Sequence, residues 1–214
     1  MRQYRAMRIA FLLYEGLTTL DVIGPHDVLS RLPDVDAISV GKTTGPFTAD
    51  TGVLALTPTH TIDRVDHVDV LVVPGGLGGT FAAAADPEIT DWVAAVRADA
   101  TWTTSVCTGA VILGAAGVLA GRRATTHWAA LDALSAYGAE PVGDERVVFD
   151  GDVVTAAGVS AGIDMALTLA AEISGETFAQ ALQLAIEYDP RPPFDTGSRQ
   201  KADEELVALV ADIF

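Results

Sequence analysis

Short apolar runs that alternate with helix-patterned stretches constrain this chain more than any other feature. Arg8–Leu13, Val35–Val40, Val70–Val73 and Trp102–Val106 each read as a strand, Val70–Val73 as a short, buried one. Thr18–Arg31 reads as a helix with Leu20, Ile23, Val28 and Leu29 as its apolar surface. Asp86–Ala98 reads as another, opened by Asp86 as N-cap and Pro87 at the first helical position. Such alternation folds as a largely parallel sheet covered by helices, so the fold class is α/β.

The second half continues in the same style. Ala110–Ala120, His127–Tyr137, Gly158–Ile173 and Thr177–Tyr188 are expected helices, and Arg123–Thr126 an expected strand. Two hairpins are expected, one over Phe47–Leu56 and one where Arg146–Phe149 and Val153–Ala156 flank Asp150-Gly151. Residues 189–194 are a proline-rich break. Beyond it, Lys201–Ile213 reads as an amphipathic helix through Leu206, Leu209, Val210 and Ile213. No repeat and no linker divides the chain. The expectation is one domain over residues 1–214 with a C-terminal helical tail from about residue 195.

Composition limits the partners. The chain has 214 residues, half of them hydrophobic, enough for a sizeable core. Its 29 acidic and 13 basic side chains give a formal charge of −16, which repels a phosphate backbone and argues against nucleic acid. One cysteine forbids an internal disulfide and a multi-cysteine metal site, and fits a reducing cytoplasm. The basic start and the run Ile9–Tyr14 read as a first core strand rather than a signal peptide. No stretch is apolar over the roughly 18 residues that a membrane span needs.

That cysteine, Cys107, lies between an expected strand and an expected helix. A helix N-terminus there would favour the thiolate, which is the nucleophilic form. The alternative is a small hydrophobe packed on the sheet. Asp21 is embedded in Leu-Asp-Val-Ile-Gly-Pro near a helix start. Burial would raise its pKa and suit it to proton donation, although helix capping is the commoner role of such a residue. Gly75, Gly76 and Leu77 belong to a glycine-rich loop after a strand, which could bring backbone N–H groups to a ligand or simply turn tightly. The loop lacks nucleotide-binding spacing. His26, His60, His67 and His127 show no metal-ligand spacing, and His127 reads as a helix cap. The tryptophans read as core or pocket wall.

Leu-Asp-Val-Ile-Gly-Pro-His-Asp-Val-Leu, Val-Pro-Gly-Gly-Leu-Gly, Thr-Ser-Val-Cys-Thr-Gly-Ala and Gly-Arg-Arg-Ala-Thr-Thr-His-Trp occur here in that order. Together they resemble the ThiJ/PfpI family of the class I glutamine-amidotransferase-like superfamily, and most closely its isonitrile-hydrating members. The likeness runs from the first strand to Phe194. It implies a flavodoxin-like three-layer sandwich with a nucleophile elbow, no cofactor, no metal and a homodimer. It implies Cys107 as nucleophile, Asp21 as its acidic partner, and Gly75, Gly76, Leu77 and Thr108 as the substrate and oxyanion pocket. The implied activity is hydration of a small-molecule isonitrile by water to an N-substituted formamide through a cysteine thioimidate. Peptidase relatives carry histidine directly after the cysteine, and Thr108 stands there instead, so a local Cys-His relay is missing. The same motifs also resemble the ligand-sensing domain of AraC-type regulators. A redox-sensing thiol and glyoxalase-like hydration are further alternatives on such a scaffold.

Overall fold

The computed structural model describes residues 5–213. Its centre is a seven-stranded sheet. In chain order the strands of the molecule are β1 (Met7–Leu12), β2 (Val35–Gly41), β3 (Phe47–Thr48), β4 (Ala55–Leu56), β5 (His60–Thr61), β6 (Val70–Val73), β7 (Trp102–Val106), β8 (Arg123–Ala124), β9 (Glu140–Pro141), β10 (Val147–Asp150) and β11 (Val153–Ala156). The main sheet runs β10-β11-β7-β6-β1-β2-β5, and β10 alone is antiparallel. Its middle strands, β6, β1 and β7, have almost no exposed side chains, as strands covered on both faces should; β6 is apolar throughout, whereas β7 buries Thr103, Thr104 and Ser105.

The helices are α1 (Thr19–Leu29), α2 (Leu77–Ala84), α3 (Pro87–Arg97), α4 (Gly109–Ala115), α5 (Ala161–Ser174), α6 (Glu176–Ala185) and α7 (Glu204–Ile213). Asp86 caps α3 as expected, accepting the Glu88 N–H at 3.0 Å. Two expectations need correction. The stretch expected as helix from His127 is a 3-10 segment, Trp128–Tyr137, closed by left-handed Gly138. The strand expected over Arg123–Thr126 stops at Ala124, because Thr125 and Thr126 leave the β8–β9 pair to bond elsewhere. The Thr125 N–H donates to Thr155 Oγ1, and Thr126 Oγ1 donates to the Cys107 carbonyl. The sequence also hides α2, whose first turn reads Leu-Gly-Gly-Thr and has low intrinsic helix propensity.

Chain order reverses between β6 and β1, and clefts in open α/β sheets form beyond the strand ends at such a point. The ends of β1, β6 and β7 therefore deliver Tyr14, the Pro74–Gly79 loop and Cys107 to one place.

Candidate active site

Cys107 follows β7 directly and takes a left-handed backbone, with φ of 55°. Ordinary side chains avoid that region, and an observed outlier of this kind marks a position held by its surroundings. Three bonds hold this one. The Cys107 N–H is shared by the carbonyls of Ala156 (3.1 Å) and Ala157 (2.9 Å), and its own carbonyl accepts from Thr126 Oγ1 at 2.7 Å. Helix α4 then leaves at Gly109, where a Cβ would sit 2.2 Å from the Val73 carbonyl oxygen. Glycine at that position lets the elbow press against the end of β6.

Asp21 lies in the first turn of α1 and is fully buried. It does not cap that helix: the N-cap is Thr18, with no side-chain cap bond. Its Oδ2 accepts the Gly75 N–H at 2.9 Å, and its Oδ1 is buried without a well-formed hydrogen bond. Burial above all pushes the Asp21 carboxyl up to about 7, and Asp50 adds to the rise. The Gly75 N–H and the Cys107 thiol hold it back.

The thiol differs from the sequence expectation. Burial, then the Asp21 charge, push Cys107 up to about 12, while the backbone N–H groups of Val159 and Thr108 and the Thr108 hydroxyl pull it down. Desolvation therefore outweighs the helix end and favours the neutral thiol. Carboxyl and thiol act on each other, so the two titrate as a coupled pair.

The glycine loop is committed to this pair. A Cβ on Gly75 would lie 2.6 Å from the Thr108 nitrogen and 2.9 Å from Asp21 Oδ2. The Gly76 N–H donates to Thr108 Oγ1 at 3.0 Å, and Thr18 N–H donates to the Gly75 carbonyl at 2.8 Å. Of the two readings of this loop, its Gly75 and Gly76 amides serve within the protein: one holds the acid and the other holds Thr108. Sequence reasoning missed Tyr14 as a support beneath this loop. It is buried, its hydroxyl donates to the Pro74 carbonyl at 2.8 Å, and burial keeps it protonated by raising its pKa well above the usual value. Its only sequence signal was its place at the end of the first strand.

Above the sulfur opens a cavity of about 580 Å³. Cys107, Thr108, Gly76 and Leu77 reach it, whereas Gly75 and Asp21 lie behind its wall. Phe81, Trp128, Val159, Val207 and Val210 make it mostly apolar, and His127 borders it. His127 also caps the 3-10 segment, its Nδ1 accepting the Ala129 N–H at 3.3 Å, and burial lowers its pKa so that the ring is neutral near pH 7. Among the described residues no cluster of three His, Cys, Asp or Glu side chains could hold a metal, and no helix is long and apolar enough to cross a membrane.

A strained cysteine elbow on a mostly parallel sheet, backed by a buried carboxyl, defines a class of cysteine-bearing α/β domains. The DJ-1/PfpI family profile matches residues 7–172, and the chain belongs to that family. It is 48% identical to the isonitrile hydratase of Pseudomonas putida over 202 residues, 94% of this chain and 87% of that protein. A ThiJ/PfpI family protein from Pseudomonas syringae superposes with a TM-score of 0.93 at 42% identity, covering 97% of this chain and 86% of its own. The HTH-type transcriptional regulator CdhR of Pseudomonas aeruginosa is 32% identical over 136 residues, 63% of this chain but 40% of the regulator.

Proposed function

We propose that this protein hydrates isonitriles, R–N≡C, to N-substituted formamides, with Cys107 as nucleophile and Asp21 as proton carrier. The observation that carries the reading is a buried carboxyl poised near neutrality beside a buried thiol at the floor of an apolar cavity. An isonitrile needs a proton and a nucleophile at the same carbon, and its substituent needs an apolar wall. The Gly75 and Gly76 amides are engaged within the protein. The identity to the Pseudomonas putida isonitrile hydratase over nearly the whole chain supports the same reading.

The steps balance with one shared proton. As Cys107 Sγ bonds to the isonitrile carbon, its S–H bond breaks, and Asp21 relays the proton to that carbon. The product is a thioimidate, HC(=NR)–S–Cys107. Water then adds to the same carbon, and its proton passes through Asp21 to nitrogen. Collapse breaks the C–S bond, and the hydroxyl proton returns through Asp21 to sulfur as the formamide leaves. Asp21 is unchanged at the end. Relay through the acid avoids a free thiolate, which the raised thiol pKa makes costly.

Incubating the wild-type protein with a panel of alkyl and aryl isonitriles tests this, with the formyl proton of the product read by NMR. Formamide accumulating over many turnovers is the expected result. No formamide across the panel, from protein whose Cys107 still alkylates, would replace the reading with a ligand-sensing role.

A further inference from the structure

The family profile ends at residue 172, yet the wall of the Cys107 cavity does not. Two of its residues, Val207 and Val210, stand on α7, more than thirty positions further on. They are three apart on a helix, hence on one face. The structural match to the Pseudomonas syringae protein covers 97% of this chain and therefore includes most of the segment before and into α7. The segment that the general family pattern leaves out is the one that roofs the reactive sulfur.

The roof is lightly fastened. Gln200 Nε2 donates to the Gly143 carbonyl at 2.8 Å, tying the strap to the body. Its ion pairs are internal, between Arg199 and Glu204 (2.6 Å) and between Lys201 and Asp195. A second void of about 290 Å³ separates it from His127 and Trp128. Close packing is the norm in a protein interior, and this helix is instead bordered by two cavities. Its remaining large side chains with described surroundings, Leu206 and Leu209, are exposed.

We infer that the 195–213 strap is the specificity-determining element of this site, and that Val207 and Val210 set how large a substituent can lie above Cys107. The inference rests on the Cys107 cavity being the isonitrile site, and it specifies the substrate class as isonitriles whose apolar substituent reaches from the sulfur to α7. Widening the roof admits bulkier reagents, and filling it rejects them while small ones still pass beneath.

The test uses the full-length protein and reads Cys107 alkylation by a small reagent, iodoacetamide, and a bulky one, N-phenylmaleimide. The ratio of the two rate constants reports roof height and needs no isonitrile turnover. In Val207→Ala/Val210→Ala the bulky-to-small ratio is expected to rise about threefold or more. In Val207→Trp it is expected to fall about tenfold or more, the scale of discrimination an apolar wall can supply. Leu209→Ala, on the exposed side of the same helix, should leave the ratio at its wild-type value. A ratio that fails to move in opposite directions in the two valine variants overturns the inference. A shift in Leu209→Ala equal to that of the valine variants overturns it too, because the strap would then act only by being folded. Relative kcat/KM for methyl and phenyl isonitrile in the same variants should follow the same order. If no variant and no wild type converts an isonitrile while the alkylation ratios behave as stated, the proposed activity fails and the roof stands. If the isonitriles are converted but the ratios stay flat, the activity stands and the roof fails.

Discussion

The floor and the roof of the cavity are built on opposite plans. On the floor and in the layer directly behind it, Cys107, Thr108, Asp21 and Gly75 are locked by hydrogen bonds and by approaches that no Cβ would permit at Gly75 or Gly109. On the roof, Val207 and Val210 touch the same space from a helix whose preceding strap is tied to the body, among the described residues, through the Gln200–Gly143 hydrogen bond. The difference teaches where each task is placed. Bond-making needs atoms held to within a fraction of an ångström, so it sits on strand ends and helix starts in the sheet. Choosing a substituent tolerates slack, and a peripheral strap can change without disturbing the reacting groups.

The sharpest way to break this contrast is at the floor. Asp21→Asn keeps the shape and an acceptor for the Gly75 N–H but cannot relay a proton. It should lower kcat/KM for isonitrile by about 10²- to 10⁴-fold, the usual range for loss of acid–base assistance, while leaving the alkylation ratio of bulky to small reagents unchanged. Gly75→Ala should come next. Its Cβ would press on the Thr108 nitrogen at 2.6 Å, and overpacking a tight site costs roughly 1–3 kcal/mol. A lowered melting temperature together with a fall in kcat/KM is expected, whereas an equal insertion at the roof should cost little stability.

Acid should separate the two regions as well. The competent pair holds one proton, and below about 7 it holds two. The rate of formamide formation is therefore expected to fall about tenfold per pH unit below that point, with no loss at mildly alkaline pH. The bulky-to-small alkylation ratio is set by the apolar Val207 and Val210 side chains and should change less over the same range.

The smallest expected effect is on stability. Asp21 is raised above its unfolded value of 3.8, so the native state binds more protons between 3.8 and about 7, and stability declines as pH rises through that window. Above about 7 the cost is present in full. Asp21→Asn should consequently raise the melting temperature more at pH 8 than at pH 5, measured by thermal unfolding.

Much of the floor is legible in the sequence because its signals are local. Cys107 is a unique residue at a strand-to-helix junction, Asp21 is an acid among hydrophobes, and Val70–Val73 has the continuous apolar character of a covered strand. What depends on three dimensions is not legible. The direction of the Cys107 shift follows from burial and from a charge far away in the chain, so the helix-end argument alone points the wrong way. The glycine loop looks like a set of donors for a ligand, but their partners, Asp21 and Thr108, come from other segments. Helix α2 is masked by its glycines. On α7 the sequence pattern picks out Leu206, Leu209, Val210 and Ile213, yet the side that meets the Cys107 cavity is Val207 with Val210, while Leu206 borders the second void and Leu209 is the more exposed. The Ile213 side chain lies outside the described residues. Amphipathicity shows that a helix has a preferred face only after its neighbour is known.

The most direct test of the account is formamide production from one isonitrile by wild type and by Cys107→Ala, side by side at pH 8. Many turnovers by wild type and none above the uncatalysed background in the folded variant are predicted. Formamide from Cys107→Ala at a wild-type-like rate would contradict the claim that this sulfur carries the reaction.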